Sequence, residues 1–277
     1  MSEATVRHSV PAQAIEQLLA RSAIYQGLSR ALRHPDAGTA QWLVTRAHRR
    51  LPELAQRVTG PSDGRLLDAV RRLVVCLDRL TIADWAREHE RVFGHAVQGS
   101  SPPYELEYGE EHSHRQPQEL GDIAAFYQAF GLRASTASHE RVDHIVTECE
   151  FMQYLLYKQA CAFDEGSQER AEVCEAAARQ FLADHLGCWG PAFCLRLSRA
   201  AREGILGAAA DAALAWLAQD CQHLGIAAGS RDLPLRLPKE RDDVGCASCM
   251  PATPHEDLNC AAQAGALQQP GSADGQC

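Results

Sequence analysis

The chain has 277 residues, 45% of them hydrophobic, which suits a globular protein with one large domain or two small ones. Its formal net charge of −9 disfavours a nucleic-acid partner and favours a basic one, such as an arginine-bearing peptide. The stretch from Met1 to Gln13 lacks the basic and apolar regions of a secretory signal, and no later stretch is apolar over a membrane-spanning length. We therefore expect a soluble, cytoplasmic protein without membrane insertion.

Apolar residues recur with a period of about 3.6 residues along most of the chain, which predicts amphipathic helices. The first stripe runs from Ile15 to Leu32, the second from Leu66 to Leu77 and the third from Trp85 to Phe93. A fourth helix is predicted from Gln118 to Phe130. It is followed by Gly131, a residue suited to the left-handed backbone conformation that closes many helices.

The longest apolar stripe runs from Val142 to Phe163, and further helices fit residues 168–185, 191–202 and 208–224. No segment alternates polar and apolar residues in the manner of a strand. The sequence therefore predicts an all-α fold, with a single helical-bundle domain over residues 1–235.

The C-terminal part differs in composition from the helical part. From about Leu233 onward prolines are frequent, and after Arg241 there is no Lys or Arg, so we predict a flexible, disordered tail over residues 236–277. Most of the eleven cysteines lie instead on apolar helical faces, which predicts buried thiols in a reducing compartment. The weak candidates for a zinc or iron–sulfur site are the tail thiols Cys246, Cys249 and Cys260.

A long loop over residues 94–117 interrupts the helical pattern, and such a loop is typical of a functional or mobile segment. Carboxylates are frequent in and just after it, opposed mainly by Arg115, and two tyrosines, Tyr104 and Tyr108, stand among them. On composition alone this is a solvated acidic loop. Interpreted as a site with exposed aromatic rings, it would suit a peptide that carries arginines next to apolar residues.

Asp143 and His144 stand where the longest helix is predicted to begin. Asp143 suits the N-cap or the first turn of that helix, and His144 and Glu148 are spaced to meet on one face. The pair permits a helix cap, a contact with a ligand or peptide, or catalysis, although two ligands are too few for a metal site. His185 and Trp189 are interpreted as a packed core pair. The sequence contains no P-loop, dinucleotide fingerprint or nucleophile elbow.

Four segments, in this order, resemble the TorD/DmsD family of redox-enzyme maturation chaperones, which includes the NarJ-like branch. The resemblance covers roughly residues 12 to 225, and His89 and Leu106 depart from residues common in the family. The segments are Glu88-His-Glu-Arg-Val-Phe-Gly94, Pro102-Pro-Tyr-Glu-Leu-Glu-Tyr108, Glu140-Arg-Val-Asp-His144 and Phe181-Leu-Ala-Asp-His-Leu-Gly-Cys-Trp189.

The resemblance implies an all-helical cytoplasmic chaperone that is not an enzyme and has no cofactor of its own. It implies that the partner is a molybdenum-containing oxidoreductase of the dimethyl sulfoxide reductase type. The chaperone would bind the apo form and its twin-arginine signal peptide, assist cofactor insertion and delay export. The residues implied for this contact are Tyr104, Glu105, Tyr108, Glu140, Asp143 and His144.

Two other functions stay open at this point. One is a metal-dependent hydrolase that uses His144 and Glu148, and the other is a metal-binding or redox adaptor that acts through Cys246 and Cys249. A monomer and a domain-swapped dimer are both compatible with a helical chaperone.

Overall fold

The computed structural model describes residues 12–59, 64–94, 99–109, 116–133 and 140–236. In these ranges the chain is helical, and its β-type pairing is limited to isolated bridges, so the prediction of an all-α fold is confirmed. None of the helices in these ranges combines the length and apolar composition needed to cross a bilayer. The predicted tail lies outside the described residues except for Arg236.

The N-terminal helices follow the predicted stripes closely, with one region that the sequence did not predict. This region spans residues 37–58 and contains a π-helical turn, whose wider geometry interrupts the 3.6-residue period. Its first helix is capped by Asp36, which accepts a hydrogen bond from the Thr39 amide at 2.9 Å. The bounds are α1 (Ala12–Leu32), α2 (Ala37–Trp42), the π turn (Leu43–Ala47), α3 (His48–Val58), α4 (Arg65–Leu77) and α5 (Ile82–Phe93).

The C-terminal helices also match the predictions, except at the start of α9. Gly131 has a φ of 72°, as expected for a residue that closes a helix. The prediction that α9 begins at Pro191 is wrong, because the helix begins more than a turn earlier, directly after α8. The bounds are a 3-10 turn (Glu105–Glu107), α6 (Gln116–Ala129), α7 (Ile145–Asp164), α8 (Gln168–Asp184), α9 (Leu186–Ala201) and α10 (Ile205–His223).

The core forms where α1 packs against α7, α7 against α8, and α10 against α4 and α9. Large aromatic side chains fill it, and Trp85, Trp189 and Trp216 are at most 2% exposed. Full burial of one such apolar side chain stabilises the fold by roughly 1.5–3 kcal/mol. This packing places α7 beside α1, and backbone hydrogen bonds hold the loop before α6 against the start of α7.

The link between α5 and α10 depends on a close approach of backbone to side chain. Glu88 on α5 accepts a hydrogen bond from the Leu206 amide at 3.2 Å, and so satisfies a free donor at the start of α10. A Cβ atom at Gly204 would lie 1.9 Å from the Glu88 Oε1 atom. Glycine at position 204 therefore gives the Glu88 carboxylate room to cap the helix.

The chain beyond α10 returns to the loop that precedes α6. The Gly109 amide donates to the carbonyl of Pro234 at 2.9 Å, and the Arg236 amide donates to the carbonyl of Glu107 at 2.8 Å. These bonds hold the chain from Pro234 to Arg236 against the loop.

Candidate functional site

The loop over residues 99–109 is attached to the start of α7 by backbone hydrogen bonds. Tyr104 and His144 form an isolated antiparallel bridge. The Ile145 amide donates to the carbonyl of Pro103, and the Glu105 amide donates to the carbonyl of Asp143, both at 2.9 Å. Residues 102–108 and 140–145, which we call the loop–helix junction, therefore lie side by side although they are distant in sequence.

Asp143 lies at the centre of the junction and is fully buried. Its carboxylate accepts hydrogen bonds from Arg141, at 2.9 Å from Nε and 2.7 Å from Nη2, and a third from the Leu106 amide at 3.2 Å. Bidentate guanidinium–carboxylate pairs of this kind are strong and directional. The expectation that Asp143 is the N-cap or lies in the first turn is wrong, because it precedes the cap and holds the loop to α7.

The N-cap of α7 is His144. Its Nδ1 atom accepts a hydrogen bond from the Val146 amide at 3.1 Å, which leaves the proton of the neutral ring on Nε2, 3.4 Å from Glu140 Oε2. Burial lowers the pKa of His144 to about 3, so the ring is neutral near pH 7. The cap that the sequence predicts at Asp143 is therefore made by His144.

The two tyrosines of the loop occupy different environments. Tyr104 is half-buried, and the Arg141 guanidinium lies 4.5 Å from the centre of its ring. Tyr108 is 3% exposed, its hydroxyl donates to the carbonyl of Pro102 at 2.9 Å, and its ring lies 5.2 Å from that of Trp189. The expectation of two exposed rings is therefore wrong for Tyr108, which belongs to the core.

Three of the described carboxylates in and just after the loop contact basic side chains of the same chain. Arg115, the expected opposing charge, lies outside the described residues, and other basic side chains contact these carboxylates. The contacts are Glu105 with His185 at 3.2 Å, Glu107 with Arg141 at 3.2 Å, and Glu119 with Arg236 at 3.0 Å.

Behind the junction lies Glu148, which is fully buried. Its Oε2 atom accepts a hydrogen bond from the indole of Trp189 at 3.0 Å. Burial, reinforced by the nearby Glu105 carboxylate, raises the pKa of Glu148 well above its usual range.

The geometry does not assemble the hydrolase site that the spacing of His144 and Glu148 permits. Each side chain faces a different partner, and the described part of the chain brings no three His, Cys, Asp or Glu side chains together as a metal site. The tail thiols Cys246, Cys249 and Cys260 lie outside the described residues.

A groove with a volume of about 580 Å³ opens beside the junction, between α1, α7 and the end of α6. Its apolar lining is mainly aromatic, and it passes from the buried Tyr127 and Phe151 to the half-buried Tyr154 and to Tyr157, which is 52% exposed. The charged side chains that line it are Arg30, Arg33, Arg133, Glu140 and Glu150.

Of the six residues implied by the resemblance, only Glu140 lines this groove. Arg33 and Glu150 form an exposed ion pair at 3.1 Å, and the Arg30 guanidinium lies 4.5 Å from the ring centre of Trp42. Sequence reasoning missed the remaining lining residues. The sequence feature that could have identified them is the set of tyrosines and charged residues that interrupt the apolar stripes of α1 and α7.

Sequence comparison identifies proteins that are similar to this chain. Residues 63–195 match the family model described as nitrate reductase delta subunit. Over 78 residues the chain is 37% identical to the chlorate reductase assembly chaperone protein of Ideonella dechloratans and 38% identical to the selenate reductase assembly chaperone protein of Thauera selenatis. Each of these alignments covers 28% of this chain and only 39% of the relative.

A longer alignment is found with the perchlorate reductase assembly chaperone protein of Dechloromonas aromatica (strain RCB). It is 28% identical over 203 residues, which is 68% of this chain and 82% of that protein. All three relatives are named as assembly chaperones of a reductase. The chain is therefore similar to the nitrate reductase delta subunit family over residues 63–195, and to proteins named as reductase assembly chaperones.

Proposed function

We propose that this protein is a cytoplasmic, non-enzymatic chaperone for a molybdenum-containing oxidoreductase of the dimethyl sulfoxide reductase type. It binds the apo form of the catalytic subunit and its twin-arginine signal peptide, assists cofactor insertion and delays export. The relatives' names, assembly chaperones of chlorate, selenate and perchlorate reductases, support a partner of this kind. The observation that carries the proposal is the open aromatic groove beside Glu140.

The groove offers both kinds of contact that a signal peptide needs. The apolar run of the peptide packs on Tyr154 and Tyr157, since tyrosine rings give a large contact area and lose little conformational entropy. The paired arginines face the carboxylates of Glu140 and Glu150. The Arg33–Glu150 pair is exposed, so exchanging Arg33 for an arginine of the peptide costs little free energy.

The residues of the loop–helix junction then divide into two roles. Glu140 and the half-buried Tyr104 lie near the surface and contact the client. Tyr108, Asp143 and His144 are buried, so they position the loop and the start of α7. Glu105, which is half-buried and contacts His185, belongs to the positioning group.

The first experiment is a pull-down of the tagged full-length protein from the native cytoplasm, with identification of the co-purifying oxidoreductase. A molybdenum-dependent catalytic subunit is the expected partner, and its signal peptide is then used in a binding titration. Recovery of a reductase whose signal peptide does not bind the chaperone would remove the signal-peptide part of the proposal and keep the assembly role.

The groove is tested with a matched pair of variants. Tyr157→Ser removes a ring that is 52% exposed in the groove, and Val75→Ser removes a side chain that is 57% exposed on α4. Loss of an aromatic anchor at an interface weakens binding by about tenfold or more. We expect that loss in Tyr157→Ser and unchanged binding in Val75→Ser. Equal affinities of both variants and the wild type would refute the groove as the peptide site.

Recognition of the arginines has its own pair of variants. Glu140→Gln is expected to weaken binding of the signal peptide, and Glu169→Gln, an exposed carboxylate on α8 that does not line the groove, is expected to have no effect. A peptide with lysines in place of both arginines should lose affinity for the wild type, because lysine cannot pair bidentately with a carboxylate. If the Glu140→Gln variant prefers the arginine peptide over the lysine peptide by the same factor as the wild type, Glu140 does not recognise the arginines.

A further inference from the structure

A second pocket, with a volume of about 210 Å³, is separate from the groove and lies between α1, α7, α8 and the end of α10. Its size exceeds the space that one water needs and falls short of the roughly 300–1,000 Å³ of sites for larger organic ligands. Its polar lining is rich in hydrogen-bond donors, among them Arg21, Gln159, Arg179 and His223.

The pocket includes a buried guanidinium that is not fully satisfied. Arg21 is 5% exposed, and its Nε atom donates to Asp220 at 2.8 Å. Asp220 also accepts from the hydroxyl of Tyr25 at 2.8 Å, so both of its oxygens are engaged on the core side. The Nη2 atom of Arg21 is buried and has no hydrogen-bond partner among the described residues. A buried donor of this kind normally has a partner, because leaving it unpaired costs about 1–3 kcal/mol.

The charges and hydrogen bonds of the other pocket residues are compatible with a bound anion. Arg179 makes no ion pair with any described residue, and Glu175, the acidic side chain of the lining, accepts a hydrogen bond from Gln159 at 3.2 Å. Burial, together with the charge of Arg21, lowers the pKa of His223. His223 therefore offers a neutral imidazole that an anion would draw towards its protonated form.

We propose that this pocket binds a small tetrahedral oxyanion of the phosphate type, which accepts hydrogen bonds from the Arg21 guanidinium, Arg179 and His223. The anion supplies the acceptor that the Arg21 guanidinium lacks, while Asp220 holds that guanidinium from behind. The site is independent of the client groove, so its test neither assumes nor decides the client of the protein.

The test is a titration of the full-length protein with inorganic phosphate, followed by the ring resonances of His223 and by calorimetry. Chloride at equal ionic strength is the control, and sulfate and perchlorate compare other tetrahedral oxyanions. We expect saturable binding of phosphate and a rise in the pKa of His223 as the site fills, because a bound anion favours the imidazolium. A response to phosphate no larger than the response to chloride would overturn the proposal and leave a pocket that holds water alone.

Arg179→Gln is the informative variant, because removal of Arg21 would leave Asp220 buried without its charged partner. The loss of one charge-assisted hydrogen bond predicts about tenfold weaker phosphate binding. Arg199→Gln is the matched control, since Arg199 is also an exposed arginine near the end of a helix and does not line the pocket. Equal weakening in both variants would mean that phosphate binds to surface charge in general, and would overturn the assignment.

Discussion

The imidazole Nδ1 atom of His144 accepts a hydrogen bond from the backbone amide of Val146 at 3.1 Å. A histidine thus makes the capping hydrogen bond that Ser, Asp or Asn makes at most helix N-caps. A protonated ring could not accept this bond, because both of its nitrogens would be donors. The attachment of the loop to α7 is therefore coupled to the protonation state of one buried group.

The first prediction concerns acid stability. The unfolded His144 imidazole takes up a proton below its ordinary pKa of 6.5, whereas the folded ring does so only near its lowered pKa of about 3. Because the unfolded state binds more protons between these values, the free energy of unfolding falls as the pH falls through this window, by at most about 1.4 kcal/mol per pH unit. His144→Asn keeps an N-cap acceptor without a titrating ring, so chemical denaturation at several pH values should show a flatter profile. A slope equal to that of the wild type would contradict this account.

Glu148 should show the opposite pH dependence. Its pKa is raised in the fold, so the folded state binds more protons than the unfolded state at pH values above its ordinary pKa, and stability falls as the pH rises from there. Glu148→Gln, which can still accept from Trp189, should be more stable than the wild type at pH 8. Glu148→Ala leaves the buried indole N–H unpaired and should cost about 1–3 kcal/mol. The comparison fails if Gln and Ala destabilise equally at that pH.

The Arg141–Asp143 pair predicts an asymmetry between its two partners. Arg141→Met leaves the fully buried Asp143 carboxylate with the Leu106 amide as its remaining donor, whereas Asp143→Asn leaves a guanidinium whose side chain is 40% exposed to water. We expect Arg141→Met to lower the free energy of unfolding by about 2–3 kcal/mol, below the roughly 3–5 kcal/mol of a fully buried pair because solvent screens Arg141. Urea denaturation measures the free energy of unfolding of both variants. A larger loss of stability in Asp143→Asn than in Arg141→Met would contradict the predicted asymmetry.

Gly204 and Glu88 should be energetically coupled. Gly204 has a φ of −93°, which alanine adopts without strain, so the cost of Gly204→Ala arises from the Cβ that displaces the Glu88 carboxylate. The loss of this cap predicts about 1 kcal/mol of destabilisation in thermal or urea unfolding. In a Glu88→Ala background the same glycine substitution should be neutral, because nothing remains to be displaced. Additive effects in the double-mutant cycle would contradict the close approach.

Much of the fold was predictable from the sequence, because apolar side chains with a helical period must bury one face. The helix over residues 116–129 and the turn at Gly131 follow from such local patterns. The segment around the π turn at Leu43–Ala47 did not, since one wider turn shifts the buried face.

The candidate site was less predictable than the helices. The motifs indicated which segments matter, but the sequence does not show that Asp143 is satisfied by Arg141 and the loop amide, or that the ring of Tyr108 is buried against Trp189. The groove arises from α1 and α7 together, and no periodicity within one helix reveals which other helix it will face.

The attachment of Arg236 to the loop has a consequence for the timing of biosynthesis. Arg236 Nε donates to the carbonyl of Tyr108 at 2.9 Å across a sequence separation of 128 residues. Synthesis runs from the N-terminus, so the segments of the loop–helix junction leave the ribosome well before the residues that complete the attachment. The nascent chain would thus carry an unfinished loop until translation has passed α10, so the loop–helix junction is completed only when the whole helical domain has been made.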